Sequence, residues 1–404
     1  MLARVRAPRD AETNARRMST TTVSRRVKPP FRADHVGSLL RPAALKEARD
    51  RFLGPQTPTS NIGPHDNAGL RLVEDRCVLD LIAMQEEVGL RAVTDGELRR
   101  RSWWLELILG WDGFDADRTG NTKIPWRNQS GPTQGFSQLK VVDKIRWRPS
   151  STVRAFEFLK ANAHAIPKVT LPAPCNVHYY IGDPAFISKT AYPDPAEMWD
   201  DLIAAYRQEI TALIAAGATY IQLDDTSLPF LCDPVHRDYV RSWGDDPDKL
   251  LLTYAEKVNA AIAGRPENVT VTLHQCRGNR EGNWAAEGAY DPVAEVLFNA
   301  IDVDGYFLEY DTSRAGGFEP LRFLPKGKVV ALGLVSSKSP VLEDADGVVR
   351  RIEEAAAIAP IDQLALCPQC GFSSSVGGNP VSPDQQRAKL QHLVEIATRV
   401  WGGV

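Results

Sequence analysis

A closed (β/α)8 barrel, the TIM-barrel form of the α/β class, is the fold the sequence predicts for residues 31–404. Three observations predict it. From residue 32 onward, strand-like runs alternate with helix-length amphipathic segments, and such alternation implies parallel pairing, because each crossover returns the chain to the same end of the sheet. The strand-like units begin at 32, 90, 167, 219, 269, 304, 328 and 361, which makes eight. No G-x-G-x-x-G turn follows an early strand, which argues against an open doubly wound sheet.

In order, "RADHVGS" (32–38) reads as the first strand, followed by a short helix after Pro42 and a Gly/Pro-rich loop. Residues 68–89 carry Leu70, Val73, Cys77, Leu81 and Met84 at helical spacing. "LRAVTDGE" (90–97) is the second strand. Residues 111–165, rich in Gly, Trp and Thr and without a helical period, read as an insertion with a hairpin. The rhythm then returns. "PKVTLPAP" is a strand, 195–217 a helix closed by Gly217, "TYIQLDD" a strand and 247–263 a helix. "VTVTLHQC", "DGYFLEYD", "KVVALGLV" and "IDQLALCPQCG" are the last four strands, separated by helices near 290–300, 318–323 and 342–358 and closed by a helix over 383–402.

Composition narrows the function classes. A net charge of -3 argues against a dedicated nucleic-acid binder. No apolar run approaches the roughly 18 residues of a membrane span. Six cysteines are too few for a disulfide scaffold and no secretory core is present, so a reducing, cytoplasmic setting is expected. The Arg-rich residues 1–30 read as a disordered or processed leader, with translation from Met18 and an organelle transit peptide as alternatives.

In a (β/α)8 barrel the C-terminal strand ends converge on one mouth. Those ends carry His35 and Ser38, Asp95 and Glu97, Asp224 and Asp225, His274 and Cys276, Glu309 and Asp311, Lys338, and Cys367 and Cys370. His274 and Cys276 share one face of their strand, because side chains at i and i+2 do so. With Glu309 and either Cys370 or Cys367 they make a zinc-type donor set; alone, each reads as a packed core residue. "CPQC" (367–370) has no second C-x2-C to complete a zinc ribbon, and a loop follows it rather than the helix of a redox dithiol. Zinc held by thiolates suits an incoming thiol, whose pKa it lowers. Glu97 and Asp224 suit the ammonium of an amino-acid thiol, or else pair with "RRR" (99–101). Trp103, Trp104, Tyr179, Tyr180 and Trp284 can wall a flat donor or simply pack.

"HVGSLLRP", "VTDGELRR", "YIQLDDTSLPF", "LHQCRGN", "FLEYDTSRAG", "GLVSSKSP" and "CPQCGFSS", in this order, resemble the catalytic barrel of the cobalamin-independent methionine synthase family, and more closely its short single-barrel members. The resemblance spans residue 30 to the C-terminus. It implies zinc held by His274, Cys276, Glu309 and Cys370, with Cys367 a neighbour. It also implies an amino-acid pocket at Ser38, Glu97 and Asp224, a donor-stacking ring near Tyr180, and methyl transfer from a folate to homocysteine. Two departures stand out: nothing here corresponds to the family's second, N-terminal barrel, and "SSK" places Lys338 where the family's relay has a histidine. A lysine does not simply replace a neutral imidazole at pH 7. Lys338 and Asp224 are the candidate catalytic residues. The expectation is a Zn2+-dependent S-methyltransferase acting on a small-molecule thiol and a methyl donor, free of nucleic acid and membrane and compatible with a homo-oligomer. Alternatives are epoxide opening with coenzyme M and a catalytically silent zinc barrel.

Overall fold

The structure is a computed structural model that describes residues 26–55, 63–117, 123–128, 131–133 and 138–404. Most of the expected leader, residues 1–25, lies outside the described residues. In chain order the strands are β1 (Ala92–Val93), β2 (Asp112–Asp117), β3 (Trp126–Asn128), β4 (Gly131–Thr133), β5 (Gln138–Arg146), β6 (Ile166–Pro167), β7 (Val169–Pro172), β8 (Tyr220–Asp225), β9 (Thr270–Gln275), β10 (Gly305–Glu309), β11 (Val329–Val335) and β12 (Leu364–Pro368).

β7 to β12 form one sheet in sequence order, every pair parallel. β6 pairs in parallel with β1, and only Lys168 separates it from β7, so residues 166–172 act as one strand between β1 and β8. At the other edge Ala33 bridges Leu366 in parallel, and Leu39 N donates to Gly96 O at 3.0 Å. The eight predicted units thus follow one another in order, in a TIM-barrel-type arrangement. The predicted strand over 32–38 is shorter than expected, reduced to the bridge at Ala33. Its C-terminal half bends at Gly37, whose φ of +131° suits glycine and whose Cβ, if present, would meet the Thr170 side chain.

Helices lie where the apolar spacing put them, at Ala43–Leu53, Ala68–Glu87, Met198–Ala215, Pro247–Ile262, Asp291–Asn299, Ala345–Ala356 and Pro383–Trp401. Asn67 caps the second, and a Ser382–Gln385 capping box opens the last. The insertion does hold antiparallel pairs, β2 with β5 and, between them, the hairpin β3–β4. It also contains a helix the sequence reading missed, Ser151–Asn162, capped by Ser150. Only Thr152, Phe156 and Leu159 of that helix are buried, a stripe too narrow and too polar to stand out as a period. The helix Pro174–Ile181 was missed for the opposite reason: nearly all of it is buried, so no polar face marks it.

The barrel interior is packed by Val36, Phe307, Val329, Ala331, Ala365 and Cys367. It also encloses an ion pair, Lys168 with Asp34 at 3.1 Å, both side chains fully buried. The Tyr220 hydroxyl and the His35 carbonyl satisfy the pair's remaining valences, the carbonyl accepting from Lys168 Nζ. Such satisfaction is what makes a buried pair tolerable. The His35 side chain is buried toward Gln85 and the Ala92 backbone and does not reach the mouth; burial, reinforced by Lys168, lowers its pKa to about 4.

Candidate active site

A pocket with a cavity volume of about 40 Å³ opens at the C-terminal strand ends. Of the expected strand-end groups, Ser38, Glu97, Asp224, Asp225, His274, Cys276 and Cys370 line it; His35, Asp95, Glu309, Asp311, Lys338 and Cys367 do not. His274 and Cys276 project from the end of β9, and the β8–β9 register sets Asp224 directly beside His274. Cys370 arrives just past β12, where Gln369 N still donates to Val335 O. Gly371 then lets the chain press against Ser38, because a Cβ at 371 would collide with Ser38 Oγ.

His274, Cys276 and Cys370 offer ligand atoms that all lie within 4.8 Å of one another, and the two sulfurs are 3.3 Å apart. All six cysteines are free thiols. Both ring nitrogens of His274 are buried without a well-formed hydrogen bond, which a metal ion in this position would resolve. Tetrahedral Zn–S bonds of about 2.3 Å set sulfurs about 3.8 Å apart, so a modest opening of the pair accommodates the ion. The donor set fits zinc.

The electrostatics agree. The Cys276 thiol donating to Cys370 holds Cys370 well below the ordinary thiol range, with His274 adding to the effect, while the same contact and burial raise Cys276. Burial opposes the His274 imidazolium, but Cys370, Asp224 and Glu309 outweigh it and raise its pKa. Glu309 stands next to this trio without joining it. Its Oε2 accepts from Arg277 N at 3.1 Å, and Oε1, otherwise unpartnered, faces Lys338 Nζ at 3.7 Å. Burial works against the Glu309 carboxylate, yet Lys338 and Arg277 prevail and hold it below the usual range. Lys338 Nζ also donates to Gly278 O at 3.1 Å.

Across the pocket, Glu97 sits in a tight turn with φ +58°, a left-handed conformation costing roughly 1–2 kcal/mol for a residue with a side chain. Glu97 Oε1 accepts from the Thr170 hydroxyl at 2.7 Å, and Arg100 lies 3.6 Å away. Oε2 is buried without a partner. Burial raises its pKa against the pull of Arg100 and Arg41. Burial also pushes Asp224 up to about 7, with His274 opposing and Glu97 reinforcing. The expected Glu97–"RRR" pairing is thus real but partial: of the three arginines, Arg100 meets Glu97, whereas Arg99 pairs with Glu74 and Asp75.

Trp103 and Tyr180 line the pocket as the aromatic reading expected, whereas Tyr179 bonds His236 and Trp284 bonds Glu287 instead. Sequence reasoning missed Trp126, which the inserted hairpin contributes. Arg127 beside it pairs backbone to backbone with Trp284 and binds Asp233 at 2.8 Å. Asn279 and Ser374, also missed, lie inside the stretches "LHQCRGN" and "CPQCGFSS" that had already been singled out. Cys367 is held apart, its thiol donating to Ala331 O inside the barrel, so "CPQC" does not act as a paired dithiol here.

Fold and site together define a TIM-barrel-type α/β protein with a His/Cys group able to hold a metal ion at its mouth. A family profile described as cobalamin-independent synthase, catalytic domain, matches residues 181–399. The chain is 40% identical over 382 residues to YxjH of Bacillus subtilis, an uncharacterized protein, covering 93% of this chain and 96% of that one. It is 28% identical to the methionine synthase of Pyrococcus abyssi, over 79% of this chain and 87% of the relative. Among solved structures it is similar to a putative vitamin-B12 independent methionine synthase from Listeria monocytogenes, with 33% identity, a TM-score of 0.69, and coverage of 92% of this chain and 98% of that one. The chain belongs to the cobalamin-independent methionine synthase family and is a methyltransferase of that family.

Proposed function

We propose that the protein is a zinc-dependent S-methyltransferase whose acceptor is homocysteine. One observation carries the reading: His274, Cys276 and Cys370 share a single pocket with Glu97 and Asp224, a thiol-type metal set facing an ammonium-type acid set. His274, Cys276 and Cys370 would hold the ion, and Glu309, which stands beside the trio, would have to turn its Oε1 from Lys338 to supply a fourth ligand. Zinc bound there lowers the pKa of an incoming thiol and so supplies a thiolate at neutral pH.

The chain's own residues do the rest. The unpartnered Glu97 Oε2 and the Asp224 carboxylate receive the substrate ammonium, and a bound cation favours the ionised form of both acids. Ser38 Oγ donates to the substrate carboxylate. Lys338 keeps Glu309 ionised and fixes it to the Gly278 backbone rather than reaching into the pocket. Tyr180 and Trp103 form the wall against which the methyl donor rests. The lining carries Glu97, Asp224 and Asp225 and, among the described residues, neither Lys nor Arg. A sulfonate thiol such as coenzyme M would find like charge there, which favours the amino-acid thiol over the epoxide-opening alternative. No helix among the described residues is long and apolar enough to cross a membrane.

The test is calorimetric titration of zinc-loaded protein with homocysteine and with coenzyme M, using wild type and Asp224→Ala. Homocysteine is expected to bind wild type and to be lost in the variant. Undiminished homocysteine binding by Asp224→Ala, or a preference for coenzyme M, overturns the assignment.

A further inference from the structure

On β8 the side chains of Tyr220, Gln222 and Asp224 share one face, running from the barrel interior to the mouth. Gln222 is fully buried in the middle of that row. Its Nε2 donates to Asp224 Oδ1 at 2.6 Å and to Val36 O at 2.5 Å. A backbone carbonyl only accepts, so the amide nitrogen must face Val36 O, and Asp224 is thereby offered a fixed donor. Among the described residues no other group bonds the Asp224 carboxylate, which leaves Oδ2 for the pocket.

A second observation concerns His274. The strand register sets Asp224 directly opposite it. A histidine that binds a metal almost always donates its other ring N–H, and a neighbouring carboxylate is a common acceptor. Here neither ring nitrogen of His274 has a well-formed hydrogen bond, and Asp224 is turned to Gln222 instead. Gln222 therefore keeps this acid from becoming a support of the metal set. Glu97 is arranged in the same way: the Thr170 hydroxyl engages Oε1, and Oε2 stays without a partner. Each acid has one oxygen tied to an uncharged neighbour and the other left for the substrate.

We infer that Gln222 is a positioning residue for the substrate ammonium, aiming Asp224 at the substrate and away from His274. This deepens the homocysteine reading and rests on it. The Val36 contact extends the effect, because Val36 stands two residues before Ser38. One buried amide thus ties the acid that receives the ammonium to the segment that carries the carboxylate donor. The consequence is sharpest in Asp224→Asn. Gln222 Nε2 then claims the oxygen of the new amide, so its NH2 group faces the pocket and meets the substrate ammonium, donor against donor. In Asp224→Ala water takes that place and can still accept from the ammonium. The asparagine variant should therefore bind homocysteine more weakly than the alanine variant, although it is closer to aspartate in shape.

The experiment titrates zinc-loaded protein with homocysteine and with 4-mercaptobutyrate, which lacks the amine. Binding is followed at the zinc X-ray absorption edge, so that weak binding is still read at high thiol concentration. Wild type is read first: equal binding of the two thiols overturns the ammonium reading of the pocket itself, before any variant is considered. Given a preference for homocysteine, Asp224→Asn should bind it about threefold or more weaker than Asp224→Ala does. Gln222→Met, similar in volume but without a donor, should lose about tenfold in homocysteine affinity. It should keep its affinity for 4-mercaptobutyrate and its zinc after desalting. Adding Gln222→Met to Asp224→Asn frees the amide to turn its oxygen to the ammonium and should restore homocysteine binding about threefold, whereas mere damage to the barrel would weaken it further. Circular dichroism and thermal melting check the fold; if Gln222→Met is unfolded, the comparison of Asp224→Asn with Asp224→Ala decides. The inference is overturned if Asp224→Asn binds homocysteine as well as Asp224→Ala, or if the double variant is not restored. A zinc loss in Gln222→Met that matches its loss of homocysteine affinity overturns it as well.

Discussion

Glu97→Gln replaces a carboxylate by an amide of the same shape and so separates charge from packing. In the native pocket Oε1 is engaged by Thr170 at 2.7 Å, while Oε2 is buried and open toward the substrate. A charge-assisted hydrogen bond from a substrate ammonium to Oε2 is worth about 1.5–3 kcal/mol, which predicts a loss of about 10- to 150-fold in homocysteine affinity. The amide oxygen can still accept from Thr170, and glutamine can occupy the same left-handed turn, so the fold should hold. The assay is calorimetric titration of zinc-loaded wild type and variant with homocysteine and with 4-mercaptobutyrate, which has the same thiol and carboxylate but no amine. Wild type should prefer homocysteine, and the variant should lose that preference while binding 4-mercaptobutyrate about as wild type does. A change below about threefold in homocysteine affinity, or an equal loss for both thiols, would refute the ammonium contact; the second result would place the effect in the Arg100 and Thr170 surroundings.

Three further expectations follow from the same geometry. Cys276→Ser and Cys370→Ser should each reduce bound zinc about tenfold or more after desalting, measured by plasma emission, while Cys367→Ser, whose thiol lies inside the barrel, should leave the zinc content unchanged. Gly371→Ala sets a Cβ against Ser38 Oγ and should cost about 1–3 kcal/mol in urea unfolding, with weakened homocysteine binding because Ser38 must move. His178 is half-buried, its pKa lowered to about 4 by desolvation, stacked on Trp199 and bonded to the Tyr254 hydroxyl. Because the folded value lies below the unfolded one of about 6.5, its contribution is present above that pH and is lost as pH falls toward 4; wild type should lose about 3 kcal/mol relative to His178→Phe between pH 7 and 4 in paired urea titrations.

The site is readable in the sequence where spacing and chemistry coincide. His274 and Cys276 at i and i+2 of an alternating strand announce a shared face, and Asp224 and Glu97 stand at strand ends where the barrel gathers them. Cys370 could be separated from Cys367 only through the family resemblance, because nothing in "CPQC" says where β12 stops and the backbone turns toward Ser38. Trp126 was hidden for a different reason. It reaches the pocket through a hairpin whose placement depends on Arg127, Asp233 and Trp284, partners far apart in sequence that no local period reveals. The buried Lys168–Asp34 pair was equally invisible, since each residue alone reads as a surface charge. Among the fold elements, the long amphipathic helices were recovered; of those missed, Ser151–Asn162 and Pro174–Ile181 lack a two-sided pattern, and Pro234–Ser242 spans only nine residues.

The central claim is that an amino-acid thiol becomes a ligand of a zinc ion held by His274, Cys276 and Cys370. X-ray absorption of zinc-loaded protein, recorded as homocysteine is titrated in, tests it most directly. The account predicts that the sulfur count around zinc rises from two to three at one equivalent of homocysteine, and that Asp224→Ala requires far more thiol to reach the same spectrum. An absorption edge and sulfur count that stay constant through saturating homocysteine would contradict it, and would leave the metal set with a structural role only.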